Sequence, residues 1–192
     1  MNSFYSEDEL KEIGFAQIGT NVLISKKTSF YGTDKMTIGS NVRIDDYCVL
    51  SGKIDIGNYV HIAVFNAIFG GVDGIVFEDY SGISSRCAIY ATTDDYSGEF
   101  MTNPTIPPEY TNVINKRVEV GKYVVIGTGS TVLPGVIIGE GCSFGAMTLI
   151  TRNTEPWGFY MGLQCIRLKE RSKKLLDYEK KLMDKYRRNN HD

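Results

Sequence analysis

The sequence predicts an all-β chain folded as a parallel β-helix of hexapeptide repeats, with a short N-terminal helix and a C-terminal α-helix. Three observations predict it. Between Val120 and Ile150 a large apolar residue returns every sixth position, at Val120, Ile126, Val132, Ile138, Phe144 and Ile150. A second small or apolar residue sits four places after the first five of these, at Val124, Ser130, Val136, Cys142 and Thr148. Glycine stands directly after the large residue at Gly121, Gly127, Gly139 and Gly145. A period of six is neither the helical 3.6 nor simple strand alternation. It fits a solenoid in which each hexad gives one short strand and one turn, and three hexads close a triangular coil. Coils then stack about 4.8 Å apart, the ordinary spacing of paired strands. The large residues are expected to fill the prism, and the glycines to relieve turns of unusual φ.

Each element follows in order. Residues 1–16 read as a helical cap: Ser6 stands three before Glu9, a capping-box spacing, with Leu10 and Ile13 on one face. Such a cap would cover the first coil's open edge. Residues 17–162 hold the repeat. It runs through Ile18, Ile24 and Phe30, slips by two, and resumes at Ile38, Ile44, Leu50, Ile56, Ile62 and Ile68. GGVDGI (70–75) shifts the phase at a prism corner, before Phe77, Ile83 and Ile89. The period then stops, leaving a long loop at about 94–117 that carries Tyr96, Phe100, Met101, Ile106 and Tyr110. Loops of this length are rarely passive, and a neighbouring subunit is the expected partner of those apolar residues. Residues 163–192 read as a helix, with Leu168, Leu175, Leu176, Leu182, Met183 and Tyr186 at heptad-like spacing.

The 192 residues suffice for one buried core. A net charge of −2 and a pI near 5.8 give no reason to expect nucleic acid or an anionic membrane as partner. MNSFYSEDEL has no basic and apolar leader pattern, and no stretch approaches the ~20 apolar residues of a spanning helix. A cytoplasmic protein is expected. Cys48, Cys87 and Cys142 each fall four after a large residue, so they read as small core residues; Cys165 lies outside that pattern.

With strand, turn and period in place, the chain resembles the left-handed β-helix hexapeptide acyltransferases from about Ile18 to Gly162. Within them it is most similar to the nucleotide-sugar N-acetyltransferases acting on dTDP-4-amino-4,6-dideoxy-D-glucose. NSFYSEDELKEIGF, GTNVLISKK, IGSNVRIDDYCVLSGKI, HIAVFNAIFGG, ISSRCAIYATTDDYSG, PTIP and VIIGEGCSFGAM carry this likeness. The resemblance alone supplies the left hand, against the usual right-handed crossover. It implies a homotrimer with active sites in clefts between prisms, and acetyl-CoA as co-substrate without a metal. It also implies a role in surface polysaccharide (O-antigen) biosynthesis. Cofactor contacts map to Gly127, Thr128, Ser130, Gly145 and Ala146, where short side chains would let the pantetheine arm approach the backbone. A Gly-Asn-Pro-Ala motif common near the cofactor in the family is missing: Gly162 is followed by Leu163, Gln164 and Cys165.

Acyl transfer needs a deprotonated nucleophile and a stabilised oxyanion. Where many O-acetyltransferases of the family carry a histidine, this chain has Asp94, followed by Asp95. An ordinary aspartate, pKa ~3.9, is a poor base near neutrality unless burial raises it. It suits an amine nucleophile better than a hydroxyl, which favours N-acylation. Either aspartate could instead serve a turn. His61, beside the inward Ile62, is a third candidate for the proton; Asn66 and Arg86 are candidates for a substrate hydroxyl and the pyrophosphate. Alternatives are an O-acetyltransferase on a sugar hydroxyl and a non-catalytic scaffold. A zinc β-helix hydratase is disfavoured, because it needs three histidines and the chain holds His61 and His191 alone.

Overall fold

The large residues of the hexads form three vertical rows, one inside each face of a triangular prism. The computed structural model describes residues 3–189. On the first face Ile18, Ile38, Ile56, Phe77, Val120 and Ile138 are paired in register through parallel strands. On the second the row is Ile24, Ile44, Ile62, Ile83, Ile126, Phe144 and Tyr160. On the third it is Phe30, Leu50, Ile68, Ile89, Val132 and Ile150. From the second coil upward these side chains are buried, and each fully buried Ile or Leu contributes roughly 1.5–3 kcal/mol. In the first coil Ile18 and Phe30 are only partly covered; Tyr5, Ile13 and Phe15 pack there, with Phe15 edge-on to Phe30 at 5.1 Å. Helix α1 (Glu7–Glu12) closes that end, and its Ser6–Glu9 capping box is complete.

The glycines after the large residues do not serve the purpose expected of them. Gly121, Gly127, Gly139 and Gly145 are absent from the left-handed region of φ. A Cβ on Gly121, Gly127 or Gly139 would instead lie 2.7 Å from backbone atoms of the next coil, so glycine there permits coil-to-coil contact. Positive φ falls three residues after the large residue, mostly on larger side chains. At the corner between first and second faces these are Asn21, Asn41, Tyr59, Tyr80, Tyr123, Gly141 and Trp157; at the next corner, Tyr47, Phe65, Arg86, Gly129 and Met147. Stacking compensates the strain: Tyr59 lies on Tyr80 at 4.8 Å and Tyr80 on Tyr123 at 5.5 Å, while Tyr47 lies on Phe65 at 5.1 Å.

Every break in the period falls at the third corner, between the third and first faces. It holds the turn Thr33–Lys35 in the first coil and the bend of Ala67–Phe77 in the third. In the fourth coil the chain leaves along Thr92–Asp94, returns antiparallel along Val113–Asn115, and carries residues 95–112 as the loop. The C-terminal segment departs from the helix expected over 163–192. Gly162 and Cys165 take positive φ, so the chain turns, and Ile166–Glu170 runs back antiparallel beside Gly158–Met161. Helix α2 begins only at Leu175 and is described to Asn189; residues 190–192, His191 among them, lie outside the described residues. All four cysteines are free and buried, Cys165 included.

Candidate functional site

In a two-residue strand whose second side chain points inward, the residues on either side of it face out. On the second face this aligns two outward columns. His61, Gly82 and Val125 share one, in pairing register. Asp45, Ala63, Ser84, Gly127 and Gly145 share the other, each N–H donating to the inward residue of the next coil. Between the columns lies a groove of about 380 Å³, lined by His61, Ala63, Gly82, Ile83, Ser84, Ser85 and Val125.

His61 stands at its rim with Nε2 2.8 Å from Asp45 Oδ2, while Arg43 Nε donates to Asp45 Oδ1 at 2.7 Å. Burial alone would raise the Asp45 carboxyl, but the bonds from His61 and Arg43 outweigh it and hold the group below its ordinary value. In the neutral imidazole, a proton on Nε2 satisfies Asp45 and leaves Nδ1 with the lone pair. Ser84 presents a hydroxyl with no hydrogen-bond partner among the described residues. Thr128 is tied to the same wall: its hydroxyl donates to the Ser85 carbonyl at 2.7 Å and lies 3.0 Å from Ser85 Oγ. Gly127, Gly145 and exposed Ala146 continue the wall toward the last coils.

Two expected contacts are turned inward. Asn66 is 1% exposed; its Nδ2 donates to Ala63 O at 2.6 Å, and its Oδ1 accepts from Cys87 N–H at 2.8 Å. Neither end of that amide is left for a substrate. Ser130 is equally buried, donating to Gly127 O at 2.7 Å and accepting from Thr148 N–H at 3.2 Å. Both stand four after a large residue, the inward small position of the hexad, so the repeat itself forecasts their burial. Arg86 projects from the second corner, exposed, one coil above Phe65.

The aspartate pair divides. Asp95 accepts from Ser97 N–H and Asn112 Nδ2, both at 2.7 Å, and clasps the two stems of the loop. Ser97 first, then Asn112, holds its carboxyl below the usual range. Asp94 ends the outgoing strand of the ribbon, and its carboxylate has no hydrogen-bond or ion-pair partner among the described residues. Within one chain, the ribbon with Asp94 leaves the third corner, whereas His61 and Ser84 sit on the second face. Ser84 escaped the sequence reading, although the signal was present: it follows Ile83 as Gly127 follows Ile126.

Comparisons with known proteins agree with this architecture. The family of bacterial transferase hexapeptides (six repeats) matches residues 113–152. The dTDP-4-amino-4,6-dideoxy-D-glucose acyltransferase of Escherichia coli is 47% identical over 180 residues, covering 92% of this chain and 93% of that protein. Among solved structures, AntD, an N-acyltransferase from Bacillus cereus, in complex with dTDP and 3-hydroxybutyryl-CoA, superposes with a TM-score of 0.94 at 46% identity, covering 97% of this chain and all of that one. Its S84A variant, in complex with dTDP-4-amino-4,6-dideoxyglucose and coenzyme A, gives the same TM-score over 96% of this chain. A likeness this long, in sequence and in shape together, shows that the chain belongs to the left-handed β-helix family of bacterial hexapeptide-repeat acyltransferases.

Proposed function

We propose that the protein transfers an acyl group from acyl-CoA to the 4-amino group of a dTDP-linked 4-amino-4,6-dideoxy sugar. One observation carries this reading: the near full-length likeness to an N-acyltransferase whose structures hold coenzyme A and that amino-sugar nucleotide. The thioester lies on the second face, its pantetheine arm along Gly127, Thr128, Gly145 and Ala146. The neutral amine attacks the thioester carbonyl carbon; the C–N bond forms, the C–S bond breaks, and the coenzyme leaves as its thiolate. The surplus ammonium proton passes to the unpaired carboxylate of Asp94, with His61, oriented by Asp45, as the second candidate. The uncommitted Ser84 hydroxyl donates to the oxyanion of the tetrahedral intermediate. Arg86 faces the pyrophosphate.

Because Asp94 and the second-face groove lie on different sides of one prism, a neighbouring subunit completes the site. A homotrimer supplies that neighbour, and the apolar loop residues Tyr96, Phe100, Met101 and Tyr110, all exposed in the single chain, are the surface that meets it. We place the reaction in the cytoplasm, on a precursor of surface polysaccharide such as O-antigen. A thiol-release assay with the amino-sugar nucleotide and its 4-hydroxyl counterpart tests the reading. Release with the amine alone is expected; release with the hydroxyl alone would establish O-acylation instead.

A further inference from the structure

Most glycines that line this prism are demanded by packing. A Cβ on Gly39, Gly121, Gly127 or Gly139 would come within 2.6–2.7 Å of the adjoining coil's backbone. Gly82 is different. Its φ lies outside the left-handed region, and a Cβ there would approach only the His61 carbonyl oxygen, at 3.5 Å, an ordinary contact. Neither backbone nor neighbours require glycine at this position. The missing side chain leaves a notch in the floor of the groove, between His61 on one rung and Val125 on the next.

Val125 also walls a second hollow, of about 430 Å³, between the tyrosine stack and α2. Tyr80 and Tyr123 form its floor; Leu175, Tyr178 and Leu182 form its roof. An apolar cavity of about 150 Å³ already holds a benzene ring. The two charged groups at the hollow are committed elsewhere. Arg171 donates to the carbonyls of Tyr123, Gly141 and Cys142. Glu179 accepts from Lys122 at 2.9 Å and from the Tyr123 hydroxyl. A sugar or pyrophosphate entering here would lose its hydration without adequate replacement, whereas a hydrocarbon chain would not.

We propose that Gly82 is the passage by which the acyl chain of the CoA thioester runs from the groove into this hollow. The protein therefore takes chains longer than acetyl, and position 82 sets the length limit. The proposal rests on the acyl-transfer reading above.

The test uses the full chain, the amino-sugar nucleotide, and acetyl-, butyryl- and hexanoyl-CoA. Wild type is expected to use hexanoyl-CoA with kcat/KM within about tenfold of acetyl-CoA. Gly82→Val should lower the ratio of the hexanoyl to the acetyl kcat/KM by about thirtyfold or more, with Gly82→Ala between the two. Leu182→Trp, in the roof of the hollow, should depress hexanoyl more than butyryl. Thermal melts of each variant separate misfolding from selectivity, and Gly82→Ala remains informative if the valine variant does not fold. Rejection of hexanoyl-CoA by wild type, or equal loss with every donor in Gly82→Val, overturns the proposal.

Failure of all donors with the amino sugar would sink the functional reading instead. Calorimetry then still reads the passage directly, since wild type should bind hexanoyl-CoA about tenfold or more tighter than CoA and Gly82→Val should not. Equal affinities in wild type overturn it there as well.

Discussion

At the scale of single residues, the two aspartates that the sequence could not separate have different employments. Asp95 spends both oxygens on the loop, while neither oxygen of Asp94 is bonded among the described residues. Asp94→Asn is therefore expected to lower kcat by about 10²-fold or more, the loss typical of a removed proton acceptor. Asp95→Asn should act chiefly by loosening the loop, read as faster proteolysis within residues 95–112. Steady-state kinetics on both variants checks the division. Ser81 gives a stability prediction. It occupies an inward small position where Val60 and Val124 stand in neighbouring coils, is 2% exposed, and its hydroxyl has no partner among the described residues. Burying that group costs roughly 1–3 kcal/mol. Ser81→Val should raise the midpoint of denaturant unfolding at unchanged slope; a lower midpoint would show that the hydroxyl is satisfied after all.

Both terminal elements are fastened to the prism by carboxylates. Glu9 in α1 accepts from Lys26 at 2.5 Å and from Ser6 N–H, and Lys26 first, then the Ser6 N–H, pulls its pKa down to about 2. Glu179 in α2 is likewise lowered, first by the Tyr123 hydroxyl and then by Lys122. A folded pKa below the unfolded one gives stability that is complete above the unfolded value, near 4.5, and is lost as pH falls through the folded value. On titration from pH 6 to pH 2, both caps should loosen below pH ~4.5 while the prism core persists. Fluorescence of Trp157, which lies between Tyr123 and Lys173, reports the α2 side. Glu179→Gln should remove most of that spectral change; an unaltered acid transition would assign it to other groups.

These elements also mark the limit of what the sequence disclosed. The inward rows were legible because their spacing is dictated by coil closure, which tolerates little else. Positive φ on Tyr59, Tyr80 and Tyr123 was not, since bulky residues disfavour that region in isolation and only stacking between coils reverses the preference. The strand Ile166–Glu170 hid behind leucines at helical spacing, and the turn at Gly162 and Cys165 decided the matter. On the second face, the glycines drew attention from Ser84, a residue of ordinary appearance in the same column.

On the scale of the whole molecule, the three corners bear unequal duties. Two are occupied by stacked side chains, and a Cβ on Gly127, tight against its neighbouring coil, should destabilise the prism by about 1–3 kcal/mol through overpacking. Gly127→Ala against Gly82→Ala, compared by thermal denaturation, should show a large fall for the first and little change for the second. The third corner absorbs every insertion. Replacing residues 95–112 by a two-residue turn between Asp94 and Val113 should leave the far-UV spectrum and the melting transition nearly intact, yet abolish acyl transfer. Collapse of the fold on that deletion would mean the loop is structural.

The backward-running strand Ile166–Glu170 has a last consequence. A solenoid of parallel coils ends in an edge that matches its own beginning, so copies could in principle join end to end and grow into fibres. Here the final rung of the second face is paired antiparallel, and a further parallel coil finds the wrong pattern of donors and acceptors there. At the other end α1 lies over the first coil. The strand thus opposes growth by further parallel coils at that end, and its removal should give the chain a tendency to polymerise, read by light scattering.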